Sequence, residues 1–191
     1  MDISVVTTLY YSENYINEFY NQIISSLKEI TNDFEIIFVN DGSPDNSLEV
    51  TLELKKNDSR IKILDLSRNF GHHKAIMTGL SESKGEFVFL IDSDLEENPN
   101  LLKVFWNEIN NTDFDVIYSL QKYRKGNYFE KISGFIFYKV FNFFSYIKIP
   151  ESASTCRIMK RRYIDELIKF KESDLFITGV LAATGFKQKG I

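Results

Sequence analysis

Phe87-Val88-Phe89-Leu90-Ile91-Asp92-Ser93-Asp94 is the stretch that decides how this chain reads. Five apolar residues in a row form a buried strand, and two carboxylates follow directly at its carboxyl end. Unpaired charge is costly to bury, so an acidic pair in that place calls for a divalent cation or a set of hydrogen-bond donors. A D-x-D triplet by itself is also the pattern of a solvated turn. Its weight comes from the segments around it.

Working outward, strand patterns alternate with helix patterns. Residues 3–9, 34–39, 61–66, 86–91 and 114–120 read as strands. Residues 15–30 place Ile16, Phe19, Tyr20, Ile23, Ile24, Leu27 and Ile30 at helical spacing, and 74–83 and 98–109 read as further helices. After the second strand, Gly42 and Pro44 punctuate a turn in which Ser43 is expected to cap the next helix, with Pro44 at its first position. Largely apolar strands, rather than strictly alternating ones, are covered on both faces, and strand-helix alternation implies a parallel sheet. The expected fold class is therefore α/β: a Rossmann-like, mostly parallel central sheet flanked by helices, less regular from Leu120 onward. In such sheets ligands bind beyond the carboxyl ends of the strands. That rule gathers Thr8, Tyr10 and Glu13 after the first strand, Asp41 after the second, Arg68 after the third, and Asp92 with Asp94 after the fourth.

Composition narrows the function. The 191 residues are 43% hydrophobic, enough for one compact domain over 1–191 with a sizeable core, and the net charge of -4 argues against nucleic acid as a partner. The single cysteine, Cys156, excludes an intramolecular disulfide and suits a reducing compartment. No leader precedes the first strand pattern. Residues 135–149 are rich in aromatics but carry Lys139 and Lys148 and are too short to span a bilayer. They read either as a core helix or as a surface helix against a membrane, a lipid-like acceptor or a second subunit. The expected location is cytoplasmic, with peripheral contact at the inner face of the membrane; oligomeric state is left open.

Four ordered motifs carry a resemblance: Val5-Val6-Thr7-Thr8-Leu9-Tyr10, Phe38-Val39-Asn40-Asp41-Gly42-Ser43, Leu66-Ser67-Arg68-Asn69-Phe70-Gly71 and Leu90-Ile91-Asp92-Ser93-Asp94-Leu95. Together they resemble the inverting family 2 glycosyltransferases of GT-A fold, in particular dolichol-phosphate mannose synthase and the bacterial polyprenyl-phosphate glycosyltransferases. The resemblance implies a nucleotide-sugar half over about 1–95 and an acceptor half over about 96–191. It implies a UDP- or GDP-sugar donor whose base bonds Asp41 in a pocket lined by Thr8 and Tyr10. Arg68 would bind the diphosphate or stack near the base, where a planar fork suits phosphate. Asp94 would be the main ligand of Mg²⁺ or Mn²⁺, and Asp92 a ribose or metal contact; hard cations take oxygen ligands. Gly71 would supply a close backbone approach or a positive φ. His72 and His73 are adjacent, point in different directions and lack a second ligand cluster, so zinc is not expected.

The acceptor half departs from the family pattern. Ser154-Thr155-Cys156-Arg157-Ile158 stands where close relatives have a G-D-F-R-L-like segment, so Thr155 replaces an acid. A sugar hydroxyl needs a base to take its proton, whereas a phosphate acceptor is already anionic. A lipid-phosphate acceptor is therefore slightly preferred over a glycan hydroxyl, with Arg157, aided by Arg161 or Arg162, holding the phosphate; Glu172 and Asp174 are substitute bases. Thr8, Tyr11 and Asn40 stand where members often have proline, asparagine and aspartate. Polyprenyl-type chains commonly continue into a basic R-x-x-G-x-S segment and transmembrane helices, and this one stops at Ile191. It reads as truncated, as a partial gene product, or as a member with a non-lipid acceptor. Two other classes remain: a noncatalytic sugar-nucleotide-binding domain, and a nucleotidyltransferase, which calls for a glycine-rich basic loop that residues 8–14 do not provide.

Overall fold

A computed structural model of the chain describes residues 1–120, 153–170, 179, 181 and 184–191. Among the described residues seven strands form one sheet: β1 Ile3–Leu9, β2 Phe34–Asn40, β3 Ile61–Asp65, β4 Phe87–Leu90, β5 Val116–Leu120, β6 Ala153–Lys160 and β7 Gln188–Gly190. The helices among the described residues are α1 Ile16–Lys28, α2 Ser47–Asn57, α3 His72–Glu82, α4 Leu101–Asn110 and α5 Arg161–Leu167. The spatial order is β3-β2-β1-β4-β6-β5-β7. Strands β3, β2, β1 and β4 run parallel; β6 is antiparallel to β4 and to β5, and β7 is parallel to β5.

This order has a switch point. From β1 the chain winds outward through β2 to β3, then crosses back so that β4 lies on the other side of β1. Crossovers leave β1 and β4 in opposite directions, which opens a crevice at their carboxyl ends. Thr8 is next to last in one of these strands and Asp92 follows the other.

Both faces of the sheet are buried, which explains the continuous apolar runs. Val5, Leu9, Ile36, Phe38, Phe89 and Ile158 face a layer built from Phe19 and Ile23 of α1 and Leu102 and Phe105 of α4. Their neighbours Val6, Ile37, Val39, Val88, Leu90 and Met159 face Ile76 and Leu80 of α3 and Tyr163 and Ile164 of α5. Glu35, the one charge in β2, is buried at the amino end of the sheet. It accepts from Ser4 Oγ (2.6 Å) and from the Lys84 N–H (2.8 Å), while Ser4 Oγ accepts from the Gly85 N–H (2.7 Å). The network ties the turn before β4 to β1.

Two expectations change. Ser43 and Pro44 do not open α2, which begins at Ser47. The carboxylate of Asp45 organises the turn instead, accepting from Ser43 Oγ (2.5 Å) and from the N–H (3.1 Å) and Oγ (2.6 Å) of Ser47. Burial would raise its pKa, but these bonds outweigh burial and hold it at about 2. The second change is β6, where the sequence suggests only a basic stretch. Its residues pair with both β4 and β5, so the described part of the second half extends the same sheet. Leu120 and Ala153 are partners at the end of the β5–β6 ladder. The expected basic loop 121–127, the aromatic segment 135–149, Glu172 and Asp174 lie outside the described residues.

One ion pair contributes to the acid limit on stability. Asp58, 7% exposed, accepts from Arg60 Nε (2.8 Å) and Nη2 (2.7 Å) and from the Tyr20 hydroxyl (2.8 Å). The Arg60 hydrogen bonds, opposed by burial, hold its carboxyl at about 2. A depressed carboxylate stabilises the fold above its unfolded pKa, near 4, and loses that contribution as pH falls toward 2. Thermal melts between pH 6 and 2 should show a loss of about 2 kcal/mol in that window that Asp58→Asn lacks; parallel profiles would remove the pair from the acid limit.

Candidate active site

The crevice between β1 and β4 collects the loops that follow β1, β2, β3 and β4, and their backbones are stitched together. The N–H groups of Tyr11, Ser12 and Glu13 donate to Ser43 Oγ (2.8 Å), Ser47 Oγ (3.0 Å) and Asp45 Oδ2 (3.0 Å). Glu13 Oε2 in return accepts from the Asn46 N–H (2.9 Å), so this expected donor contact also seals the loop after β2. Tyr10 is exposed, its ring edge-on to Tyr11 at 4.8 Å.

Asp41 is 2% exposed and accepts from the N–H groups of Phe70 (2.7 Å) and Gly71 (3.0 Å). Its carboxylate thus joins the end of β2 to the loop after β3, with a second lone pair on each oxygen remaining. Arg68 on that loop is exposed, lies over the Phe70 ring at 4.2 Å and donates to the Asn69 carbonyl (3.2 Å). Gly71 meets its expectation through φ alone (98°), with open space around it. The close approach belongs to Gly42, whose φ is 61° and whose hypothetical Cβ lies 2.5 Å from Arg68 C and Asn69 N.

The turn after β4 is anchored by its middle residue. Ser93 is buried and donates to the Thr8 carbonyl (3.0 Å) and to Ser12 Oγ (3.2 Å). Asp94 is exposed, with Oδ1 accepting from the Glu96 N–H (3.0 Å). Asp92 is half-buried, and its Oδ1 is shut off from solvent and has no hydrogen-bond partner among the described residues. Burial pushes the Asp92 carboxyl up; His72 opposes the shift, and Asp94 and Glu96 add to it. Two non-glycine residues with positive φ, Tyr11 (55°) and Leu95 (60°), flank the crevice, and such strain concentrates at functional sites.

A donor set of carboxylate oxygens with one orphaned buried atom suits a hard divalent cation. Among the described residues no group of three His, Cys, Asp or Glu converges as a metal site. Phosphate and water oxygens would have to complete the shell. His72 and His73 have ring centroids 5.9 Å apart.

Arg157, expected to hold the acceptor phosphate, is placed in the interior of β6. It is 4% exposed, with Nε and Nη2 donating to the carbonyls of Thr155 (3.0 Å) and Ser154 (2.7 Å), and burial pushes its pKa down. Its register opposite Leu90 puts it near Asp92, inside the wall of the site. Arg161 and Arg162 belong to the other end of the sheet, because β6 runs antiparallel to β4. Arg161 donates to the Gly85 carbonyl (Nη2, 2.6 Å) and Arg162 pairs with Asp115. Glu97 was not singled out from the sequence. Its carboxyl, with Oε1 buried and without a hydrogen-bond partner among the described residues, is pushed up by burial against a Ser154 hydrogen bond, and it feels Asp92, Asp94 and Arg157. Only the fold brings β6 to the acidic turn, so no spacing could have marked it.

A parallel sheet with a switch-point crevice, an acidic turn after its fourth strand and an antiparallel strand beside it defines a GT-A type of sugar-nucleotide fold. The family described as Glycosyl transferase family 2 matches residues 4–168, and the chain belongs to that family. It is 42% identical over 188 residues to one of the "Putative glycosyltransferases" of Mycobacterium tuberculosis (strain CDC 1551 / Oshkosh), covering 98% of this chain and 55% of that one. It is 28% identical over 187 residues to the undecaprenyl-phosphate 4-deoxy-4-formamido-L-arabinose transferase of Proteus mirabilis (strain HI4320), covering 95% and 56%. The chain therefore spans little more than half the length of these curated relatives. Among solved structures, mannosyltransferase PcManGT from Pyrobaculum calidifontis, in complex with GDP-Man and Mn²⁺, superposes with a TM-score of 0.69 at 14% identity, covering 99% of this chain and 54% of that one. That likeness shows the fold.

Proposed function

We infer that the chain transfers a hexose from a UDP- or GDP-sugar to an acceptor, polyprenyl phosphate in preference to a glycan hydroxyl, with inversion at the anomeric carbon. The observation that carries the reading is the pair Asp92 and Asp94 at the β1/β4 switch point, with Asp92 Oδ1 buried and unpartnered. Asp92 and Asp94 would hold Mg²⁺ or Mn²⁺. Bound there, the cation supplies charge neutralisation for the departing nucleoside diphosphate.

The remaining steps belong to the chain's own residues. Asp41, fixed by two backbone donors, offers its free lone pairs to a base N–H, with Thr8 and Tyr10 along the same pocket. Arg68 brings a planar cation to the same end of the sheet. The acceptor oxygen forms a bond to the anomeric carbon as the bond to the diphosphate oxygen breaks on the opposite side. A phosphate acceptor gives up no proton in that step, which is consistent with Thr155 standing where an acid is expected. The name of the Proteus mirabilis relative supports the same acceptor class. Among the described residues no helix is long and apolar enough to cross a membrane; an anionic lipid head would be met at the surface, in cell-envelope glycan synthesis.

The test is calorimetric titration of UDP, GDP and dTDP with and without Mn²⁺, followed by transfer assays on undecaprenyl phosphate and on a free glycan. One nucleotide bound in a Mn²⁺-dependent way, and transfer to the lipid phosphate, is the expected result. Binding with transfer only to the glycan would overturn the acceptor, and no nucleotide binding would overturn the donor site.

A further inference from the structure

The ring of His72 touches two of the site's strand ends at once. Nδ1 lies 3.1 Å from Thr8 Oγ1, and Nε2 lies 3.5 Å from Asp92 Oδ1. Thr8 is the next-to-last residue of β1, His72 is the first residue of α3, and Asp92 follows β4. The segment that delivers the ring is itself fixed, since Gly71 at φ 98° precedes the helix and its N–H is held by Asp41.

We propose that His72 is a positioning residue, anchored by Thr8, whose ring sets the orientation of Asp92 and leaves Oδ1 free for a divalent cation. This rests on the donor-site reading above. A hydroxyl that donates to Nδ1 fixes the tautomer with the proton on Nε2, facing the carboxylate. At 3.5 Å that contact is longer than a hydrogen bond. It attracts Asp92 without using the lone pair, in keeping with an Oδ1 that is buried and has no hydrogen-bond partner. Without the ring, Asp92 is free to rotate away from its neighbours and out of the crevice. Outer-shell partners of this kind commonly change metal affinity by one to two orders of magnitude.

The experiment compares His72→Ala, His72→Asn and His72→Gln with the wild type, reading Mn²⁺ affinity by electron paramagnetic resonance of the free ion, in the presence of UDP and of GDP. Gln places its amide nitrogen near the position of Nε2, whereas Asn reaches only as far as Nδ1. Mn²⁺ binding should weaken about 10-fold in the Ala and Asn variants and return close to the wild-type value in Gln. Nucleotide affinity without Mn²⁺ should not change in any of them. Wild-type Mn²⁺ affinity in the Asn variant, or a Gln variant as weak as Ala, overturns the positioning role alone. A wild type that binds no Mn²⁺ overturns the metal reading of the site, and this inference with it.

Discussion

Asp94→Ala is expected to lower sugar transfer by roughly 10³-fold, the scale of removing a group that stabilises developing charge on a leaving diphosphate. Asp94 is exposed at the mouth of the crevice, and among the described residues its side chain accepts from the Glu96 N–H. Its loss should therefore leave the melting temperature within about 2 °C of wild type. Asp94→Asn separates charge from turn geometry, because the amide oxygen still accepts from Glu96 while the negative charge is gone. Turnover should fall nearly as far in the Asn variant, and Mn²⁺-dependent nucleotide binding should fall with it in both. Wild-type turnover in either variant, measured with saturating Mn²⁺, would take Asp94 out of the reaction.

Gly42→Ala is expected to cost about 3 kcal/mol, or roughly 10 °C in melting temperature for a chain of this size. Two effects add. The φ of 61° is a conformation that residues with a Cβ adopt at a cost, and the new Cβ would stand 2.5 Å from the backbone of Arg68 and Asn69. Backbone cannot turn aside as a side chain can, so the loop after β3 must move. That loop carries Arg68 and presents the two N–H groups that hold Asp41. Nucleotide affinity should fall together with stability. Scanning calorimetry that finds the variant within 1 to 2 °C of wild type would show that the loops are less closely apposed in solution.

What could be read from the sequence follows from which forces are local. β1, β2 and β4 were legible because a strand covered on both faces is largely apolar instead of strictly alternating, and Ile3 to Leu9 and Phe87 to Leu90 are fully or nearly buried. The gathering of Thr8, Asp41, Arg68, Asp92 and Asp94 at one end followed from parallel topology alone. β6 was not legible, because its buried polar residues Ser154 and Arg157 find partners that no pattern announces: Arg157 donates to carbonyls of its own strand. The same strand reverses direction against β4, which sent Arg161 and Arg162 away from the site. The start of α2 was misplaced because Ser43 and Pro44 are ordinary opening residues, whereas the actual turn depends on Asp45 reaching across to the loop after β1. The link from Thr8 through His72 to Asp92 depends on three separate loops and has no signature within any one of them.

β6 is hydrogen-bonded on both sides, to β4, from which the chain runs to Asp92, and to β5, which in turn carries β7. One strand is thus the party wall between the acidic turn and the carboxyl-terminal edge of the sheet. A substitution that loosens either of its ladders would be felt on both sides, so the packing of the last strands and the rigidity of the crevice wall are inherited together.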